Sequence, residues 1–300
     1  MKNISFLMVA FLSVVGFAQA EPLRVVTTLS TYADLVKTVG GEEVVVKHIV
    51  PAKFNPHFIT PRPSDVLSLK KADLFVHTGL DLELWRGPLL DAAGNVAARP
   101  GAAGDLDLSI GIPLLEIPER KLSRAEGDIH LFGNPHYWLD PHNGIIMASS
   151  IANKLSDLDP ANEAKYRERF ENFKKKVESK ISEWKSTLAA FAGTELVGYH
   201  NQWPYFTDFT GTYIRKFIEP KPGVSPTPRH LKSLETYIED EKISVIVYST
   251  IFSSRPVKAL SKRSGAKGVV LAHNVGELPE AVNYIAMIDF NVNQLAAALR

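Results

Sequence analysis

Two hydrophobic periods alternate along this chain. Leu23–Thr28 and Val44–Ile49 are runs rich in β-branched residues, and Tyr32–Val39 between them has apolar positions at helical spacing, ended by Gly40 and Gly41. That order predicts a β-α-β opening. After a proline-rich stretch from Pro51 to Pro63, Ser64 and Asp65 start a helix with Val66, Leu67 and Leu69 as its apolar positions. Ala72–His77 reads as a third strand, and a helix is expected around Leu82–Leu90. Asp91–Gly111, rich in Gly and Ala, reads as a surface excursion. Ser123–Gly133 reads as a polar loop, and Tyr137–Leu139 as a short buried strand. Asn143 is placed to cap a helix through Met147, Ile151 and Leu155.

Asp159-Pro160 marks a fresh start, with a cap followed by proline at the first helical position. From there to Gly193, Phe170, Phe173, Val177, Ile181, Trp184, Leu188 and Phe191 form one apolar stripe at spacings of three and four. A helix of that length spans roughly 50 Å, more than either flanking half needs for its own core, and so predicts a bridge between two lobes. Strand and helix then alternate again. Strands are expected at Glu195–Tyr199, Tyr213–Ile218, Val245–Tyr248 and Gly268–Leu271. Helices are expected at Gln202–Thr210, Arg229–Glu241, Val257–Ser264 and from about Glu280 to Leu299. The expected fold class is α/β: two β-α-β lobes with parallel sheets joined by one long bridging α-helix. The lobes are taken as 21–158 and 194–300, with 159–193 as the bridge.

Composition narrows the function. Lys2 and the apolar run Ile4–Phe17, closed by Ala18-Gln19-Ala20, read as a signal peptide (1–20) cleaved after Ala20, which predicts export, most simply to a periplasm. The 300 residues carry a net charge of +1 and no cysteine. Near-neutral charge without a basic stripe argues against nucleic acid. With no cysteine there are no disulfides and no thiolate ligands, and no cysteine stands at the cleavage point, so no lipid anchor and a monomer are expected. His, Asp and Glu remain as the strong metal ligands.

The histidines fall at informative places. His136 stands between two prolines in Asn134-Pro-His-Tyr-Trp-Leu-Asp-Pro-His142, with aromatics behind it. His57 lies in the proline-rich loop, His200 at a strand-helix junction, and His273 after the last strand. Each borders the carboxyl end of a strand, where open parallel sheets bind ligands, and two come from each half. His77 alternates with buried positions and reads as core. His48 and His230 read as ordinary strand or surface residues, and His142 as near the cluster without touching metal. His130 reads as a hydrogen-bonding loop residue, with metal capture at the cleft mouth as the alternative. Asp140 reads equally as an acceptor for an imidazole or as a helix cap.

The combination resembles the zinc- or manganese-binding proteins of bacterial metal ABC importers, the ZnuA and TroA type. The resemblance runs nearly end to end. It is carried by Pro56-His57 with Pro63-Ser64-Asp65 and Ala72-Asp73-Leu74, by Asn134-Pro135-His136 with Trp138-Leu139-Asp140-Pro141, by His200 with Tyr205-Phe206, and by Pro226 before a helix. It implies a metal in the cleft between two lobes, His57, His136 and His200 as ligands, and a membrane permease as partner. The family's fourth ligand, an acidic residue after the last strand, is replaced here by Ala272. His273, the nearest strong donor, is expected in its place, with Glu277 or a water as rivals. Three or four imidazoles suit Zn2+, with Mn2+ or Fe2+ as alternatives. A haem or metal-chelate carrier would share the bridged fold. A secreted metallohydrolase is disfavoured because the chain has no His-Glu-x-x-His pair.

Overall fold

The computed structural model describes residues 21–119 and 130–300. The expected signal peptide and the residues Glu126 and Asp128 lie outside the described residues. Two parallel four-stranded sheets carry the architecture. The first contains β1 (Leu23–Thr27), β2 (Val44–His48), β3 (Leu74–His77) and β4 (Asp105–Asp107) in the order β2-β1-β3-β4. The second contains β5 (Glu195–Gly198), β6 (Tyr213–Phe217), β7 (Val245–Tyr248) and β8 (Lys267–Val270) in the order β6-β5-β7-β8. Each sheet thus follows the same order, second-first-third-fourth. Parallel strands require crossovers. These are supplied by α1 (Ser30–Gly40), α2 (Pro63–Lys70) and α3 (Arg86–Ala93) in one half, and by α6 (Pro204–Thr210), α7 (Pro228–Asp240) and α8 (Ser254–Ser264) in the other.

Between the halves run α4 (Pro141–Leu158) and α5 (Glu163–Leu188), and α9 (Tyr284–Leu299) closes the chain. The bridging helix is shorter than expected: α5 has 26 residues, about 39 Å at 1.5 Å per residue, with single 3-10 turns at Pro160–Asn162 and Ala189–Phe191 continuing it at either end. Its apolar stripe buries Tyr166, Phe173, Val177, Ile181, Trp184 and Leu188. At about 1.5–3 kcal/mol per buried large side chain, this stripe is a large term in fixing the halves. It packs on α1 and α4 from one half and on α6 and α9 from the other. Trp184 donates its indole N–H to Asp289 of α9 at 2.9 Å.

The structure departs from the sequence pattern in five further places. Tyr137–Leu139 is a 3-10 turn and not a strand. All three side chains are buried to 0 % exposure, so no alternation exists for a strand to exploit. Tyr137 reaches the carbonyl of Thr78 and Trp138 that of His273, two polar anchors in different directions. Asp91–Gly111 is not wholly irregular, because it holds a 3-10 turn at Val96–Ala98 and the three-residue β4, of which only Leu106 is buried. The helix expected at Leu82–Leu90 begins at Arg86, after a turn in left-handed conformation at Gly79, Leu80 and Asp81. The last helix begins at Tyr284, where Asn283 accepts from the Ala286 N–H. Asp140, and not Asn143, caps α4, accepting from the His142 N–H at 2.8 Å. Asn143 lies inside the helix and donates to the Tyr137 carbonyl.

Candidate metal centre

The centre is built from loops at the carboxyl ends of strands. His57 lies in the loop between β2 and α2, where its N–H donates to Asn55 Oδ1 at 3.0 Å and the Trp85 indole holds the Pro56 carbonyl at 2.8 Å. His136 precedes the buried 3-10 turn. Asn134 Oδ1 accepts both from its backbone N–H at 3.0 Å and from its ring Nδ1 at 2.9 Å. His200 stands two residues beyond β5, and its Nδ1 donates to Glu219 Oε2 at 2.8 Å. An oxygen acceptor at Nδ1 fixes the hydrogen there, so Nε2 of both His136 and His200 presents a bare lone pair. The Nε2 of His200 is buried and has no protein hydrogen-bond partner.

These three imidazoles converge. One ligand atom from each of His57, His136 and His200 lies within 4.8 Å of the others, and all three residues are buried. The Nε2 atoms of His57 and His136 are 3.4 Å apart. Two nitrogens bound at about 2.05 Å to a tetrahedral ion stand about 3.3 Å apart, so this pair is already spaced for one metal.

His273 is not in that mutually close group. Its ring lies beside His136, with centroids 5.3 Å apart, and against Trp138 at 4.9 Å. It is 0 % exposed, and its Nε2 has no hydrogen-bond partner, while Nδ1 meets the Asn274 amide at 3.2 Å. Glu277, the rival donor, is also fully buried, and five hydrogen bonds occupy its carboxylate. They come from Ser249 Oγ, Thr250 N and Oγ1, His273 N and Asn274 N. Burial pushes the pKa of His136 well below its ordinary value, with the imidazoles of His273, His57, His200 and His130 adding repulsion to a second proton. His273 is lowered in the same way by burial and by His57 and His200. Neutral imidazole is the form that binds a cation.

The other histidines are accounted for. His77 is buried among Asp105 at 3.0 Å and Arg86, a structural cluster away from the centre. His142 is exposed and bonded to Asp140, which acts as the helix cap and not as an acceptor for a site imidazole. His48 is exposed, and His230 holds the Phe217 carbonyl. His130 packs against His57 with ring centroids 5.0 Å apart. Sequence reasoning missed Glu219, Asp81 and Glu116. Glu116 accepts from Asn134 Nδ2 at 2.9 Å and from Asn201 Nδ2 at 2.7 Å, tying the loops that carry His136 and His200. None lies in a motif or at a periodic position, so only the contacts of Glu219 with His200, of Asp81 with His130 and of Glu116 with Asn134 and Asn201 reveal them.

Residues 25–298 match the family described as zinc-uptake complex component A, periplasmic. The metal ABC transporter substrate-binding lipoprotein SloC of Streptococcus mutans is 27 % identical over 318 residues, with 100 % of this chain and 99 % of SloC covered. The iron-binding protein YfeA of Yersinia pestis is 25 % identical, covering 97 % of this chain and 94 % of YfeA. The manganese ABC transporter substrate-binding lipoprotein PsaA of Streptococcus pneumoniae is 26 % identical, covering 94 % and 90 %. SloC and PsaA are lipoproteins by name, which lends no support to the expectation of an unanchored chain. The fold agrees with the crystal structure of ZnuA at a TM-score of 0.78 and 24 % identity, over 93 % of this chain and 99 % of that one. The binding protein FpvC of Pseudomonas aeruginosa in complex with Mn2+ aligns with the same TM-score, 0.78, and 24 % identity, over 93 % of this chain and 98 % of FpvC.

Proposed function

We propose, for a chain that belongs to the zinc-uptake complex component A family and is thus a metal-binding substrate-binding protein of an ABC importer and not an enzyme, that its cargo is zinc, held by His57, His136 and His200 with His273 as fourth donor. The observation that carries this reading is the 3.4 Å spacing of the His57 and His136 Nε2 atoms, next to a third buried imidazole whose Nε2 is bare. The converging set is all nitrogen. Zinc accepts four imidazoles in tetrahedral array, whereas manganese favours carboxylate and water oxygens, and ferrous iron is often held by two histidines and a carboxylate. The nearest carboxylate beside His273, that of Glu277, is already saturated by hydrogen bonds. His273 closes the set from the second half with an Nε2 that no protein group satisfies.

The same spacing argues for a bare ion over a haem or chelate, since a macrocycle does not fit between two nitrogens 3.4 Å apart. Residues 21–158 and 194–300 act as lobes on the rigid connector 159–193, and the loaded protein delivers its ion to a membrane permease from the periplasmic side. Chelator-stripped protein should bind one equivalent of zinc by calorimetry and prefer it to manganese in competition. At zinc about 1,000-fold above Kd, unfolding should cost about 4 kcal/mol more. Absence of zinc binding, or unchanged binding after His57, His136 and His200 are all replaced by Ala, overturns the reading. A preference for manganese overturns the choice of cargo.

A further inference from the structure

The two histidines from the second half of the chain are fastened to the first half by unlike means. His273 is tied in through buried groups. The Trp138 indole donates to its carbonyl at 2.8 Å, and Ser30 Oγ donates to the Val275 carbonyl at 2.8 Å. Thr31 Oγ1 donates to Asn274 Oδ1 at 3.0 Å and accepts the Val275 N–H at 3.1 Å. Trp138 and Thr31 are 0 % exposed and Asn274 1 %, so solvent does not compete for these bonds.

The loop that carries His200 is tied nearer the surface. Half-buried Asn201 donates through Nδ2 to Glu116 Oε2 at 2.7 Å, and its carbonyl accepts from Asn134 Nδ2 at 3.0 Å. The same Glu116 oxygen accepts from Asn134 Nδ2 at 2.9 Å, which uses the second N–H of that amide. Asn134 Oδ1 meanwhile accepts from the backbone and ring N–H groups of His136, so the amide cannot turn over without losing both sets of bonds. One hydrogen-bonded chain therefore runs from the His136 ring through Asn134 and Glu116 to the residue beside His200. Further in, Tyr205 Oη accepts the Leu115 N–H at 3.0 Å and donates to the Asn134 carbonyl at 2.9 Å. Glu116 is the exposed link in this chain, and its backbone sits at φ +54°, a left-handed conformation that a glutamate keeps only where its surroundings impose it. A solvated loop carboxylate accounts for the exposure. It does not account for a constrained backbone that brings one oxygen to two amides from opposite halves of the chain.

We propose that Glu116 is a positioning residue, a clasp across the cleft that sets how fast zinc leaves. While the clasp is closed, the His200 ring is held against the imidazoles of the first half. When water takes the place of the carboxylate on Asn201, the His200 loop is freed, whereas His273 stays with the first half through its buried ties. Opening starts at the exposed bonds, which are the least costly to break, and the ion loses His200 first. This rests on the zinc reading above.

Stopped-flow release of Zn2+ to excess EDTA tests it, alongside the loading rate and the melting temperature of the metal-free protein. Glu116→Ala should speed release by about tenfold, the size expected for lost hydrogen bonds to a charged acceptor, with loading rate and melting temperature nearly unchanged. Glu116→Gln, which keeps an acceptor oxygen, should release nearly as slowly as wild type. Asn201→Ala should speed release to a similar degree, and the double variant should be no faster than either single one, because both break the same clasp. Thr31→Val, which breaks the buried tie, should lower the melting temperature and change release far less. Wild-type release in Glu116→Ala overturns the proposal, and so do additive effects of Glu116→Ala and Asn201→Ala. Slower loading with unchanged release in Glu116→Ala, or a Glu116→Gln protein as fast as Glu116→Ala, overturns it as well, since the charge and not the clasp then acts. Release accelerated more by Thr31→Val than by Glu116→Ala places the opening at His273 and overturns it too. Wild-type protein that takes up no zinc overturns the reading of the centre itself, and the two failures are thereby told apart.

Discussion

Glu219 Oε2 lies 2.8 Å from His200 Nδ1, and the pair is buried with side-chain exposures of 10 % and 4 %. This carboxylate holds the ring in the tautomer that turns Nε2 toward His57 and His136, and it raises the basicity of that nitrogen. Glu219→Gln should weaken zinc binding by about 10- to 100-fold, because such outer partners of ligating histidines have effects of that size. Calorimetry against wild type checks it, and equal affinities would remove Glu219 from the centre.

Glu277 leads to the opposite expectation. Its carboxylate is a hub for five donors that joins the end of β7 to the segment after β8. Hydrogen bonds to a charged group are worth roughly 1.5–3 kcal/mol each, so Glu277→Gln should lower stability by several kcal/mol. Zinc affinity should change far less than in His273→Ala, for which a loss of about tenfold or more is expected. A stable Glu277→Gln protein that no longer binds zinc would make Glu277 the ligand.

The metal-free protein should lose stability on mild acidification. His136 and His273 are held neutral, with pKa values below the ordinary histidine value, chiefly by burial. In the unfolded chain both take up a proton near pH 6.5. Between that pH and their lower folded values the unfolded state binds more protons, so stability rises with pH through this window and falls as the solution is acidified. Urea midpoints of stripped protein from about pH 7.5 to 5 should decline, and the slope should flatten in a variant with both residues changed to Asn.

Gly144 of α4 lies directly against the Tyr284 ring. This close approach lets the Tyr284 hydroxyl donate to the carbonyls of Trp138 and Asp140, at 2.9 and 3.1 Å, and so lock the 3-10 turn behind His136. A methyl group at position 144 overlaps the ring, and overpacking of this kind costs about 1–3 kcal/mol. Gly144→Ala should therefore lower the melting temperature, and Tyr284→Phe, which keeps the ring but removes the hydroxyl, should lower it by less. A Gly144→Ala protein as stable as wild type would show that the turn is not braced by this contact.

Much of this was legible in the chain itself. Runs such as Leu74–His77 and Val245–Tyr248 announce parallel strands, because strands covered by crossover helices read as nearly continuous apolar runs. The stripe from Phe170 to Phe191 announces the bridge, since its spacings of three and four mark one apolar helix face. Histidines beyond strand ends mark the site, because open parallel sheets leave their ligand positions there. Local signals failed where packing decides. Tyr137–Leu139 has strand composition, yet it folds as a 3-10 turn in which its two aromatic side chains and Leu139 are all buried at once. Position beyond a strand end marks His57, His136, His200 and His273 alike, and the family resemblance marks the first three. The folded chain shows that the nitrogens of those three converge while the His273 ring lies beside His136. Asp81, Glu116 and Glu219 belong to the centre solely through contacts across 18 to 85 positions of chain. Hydrophobic period is a property of neighbours in sequence, whereas the orientation of an imidazole is set by whichever carboxylate the fold brings to its other nitrogen.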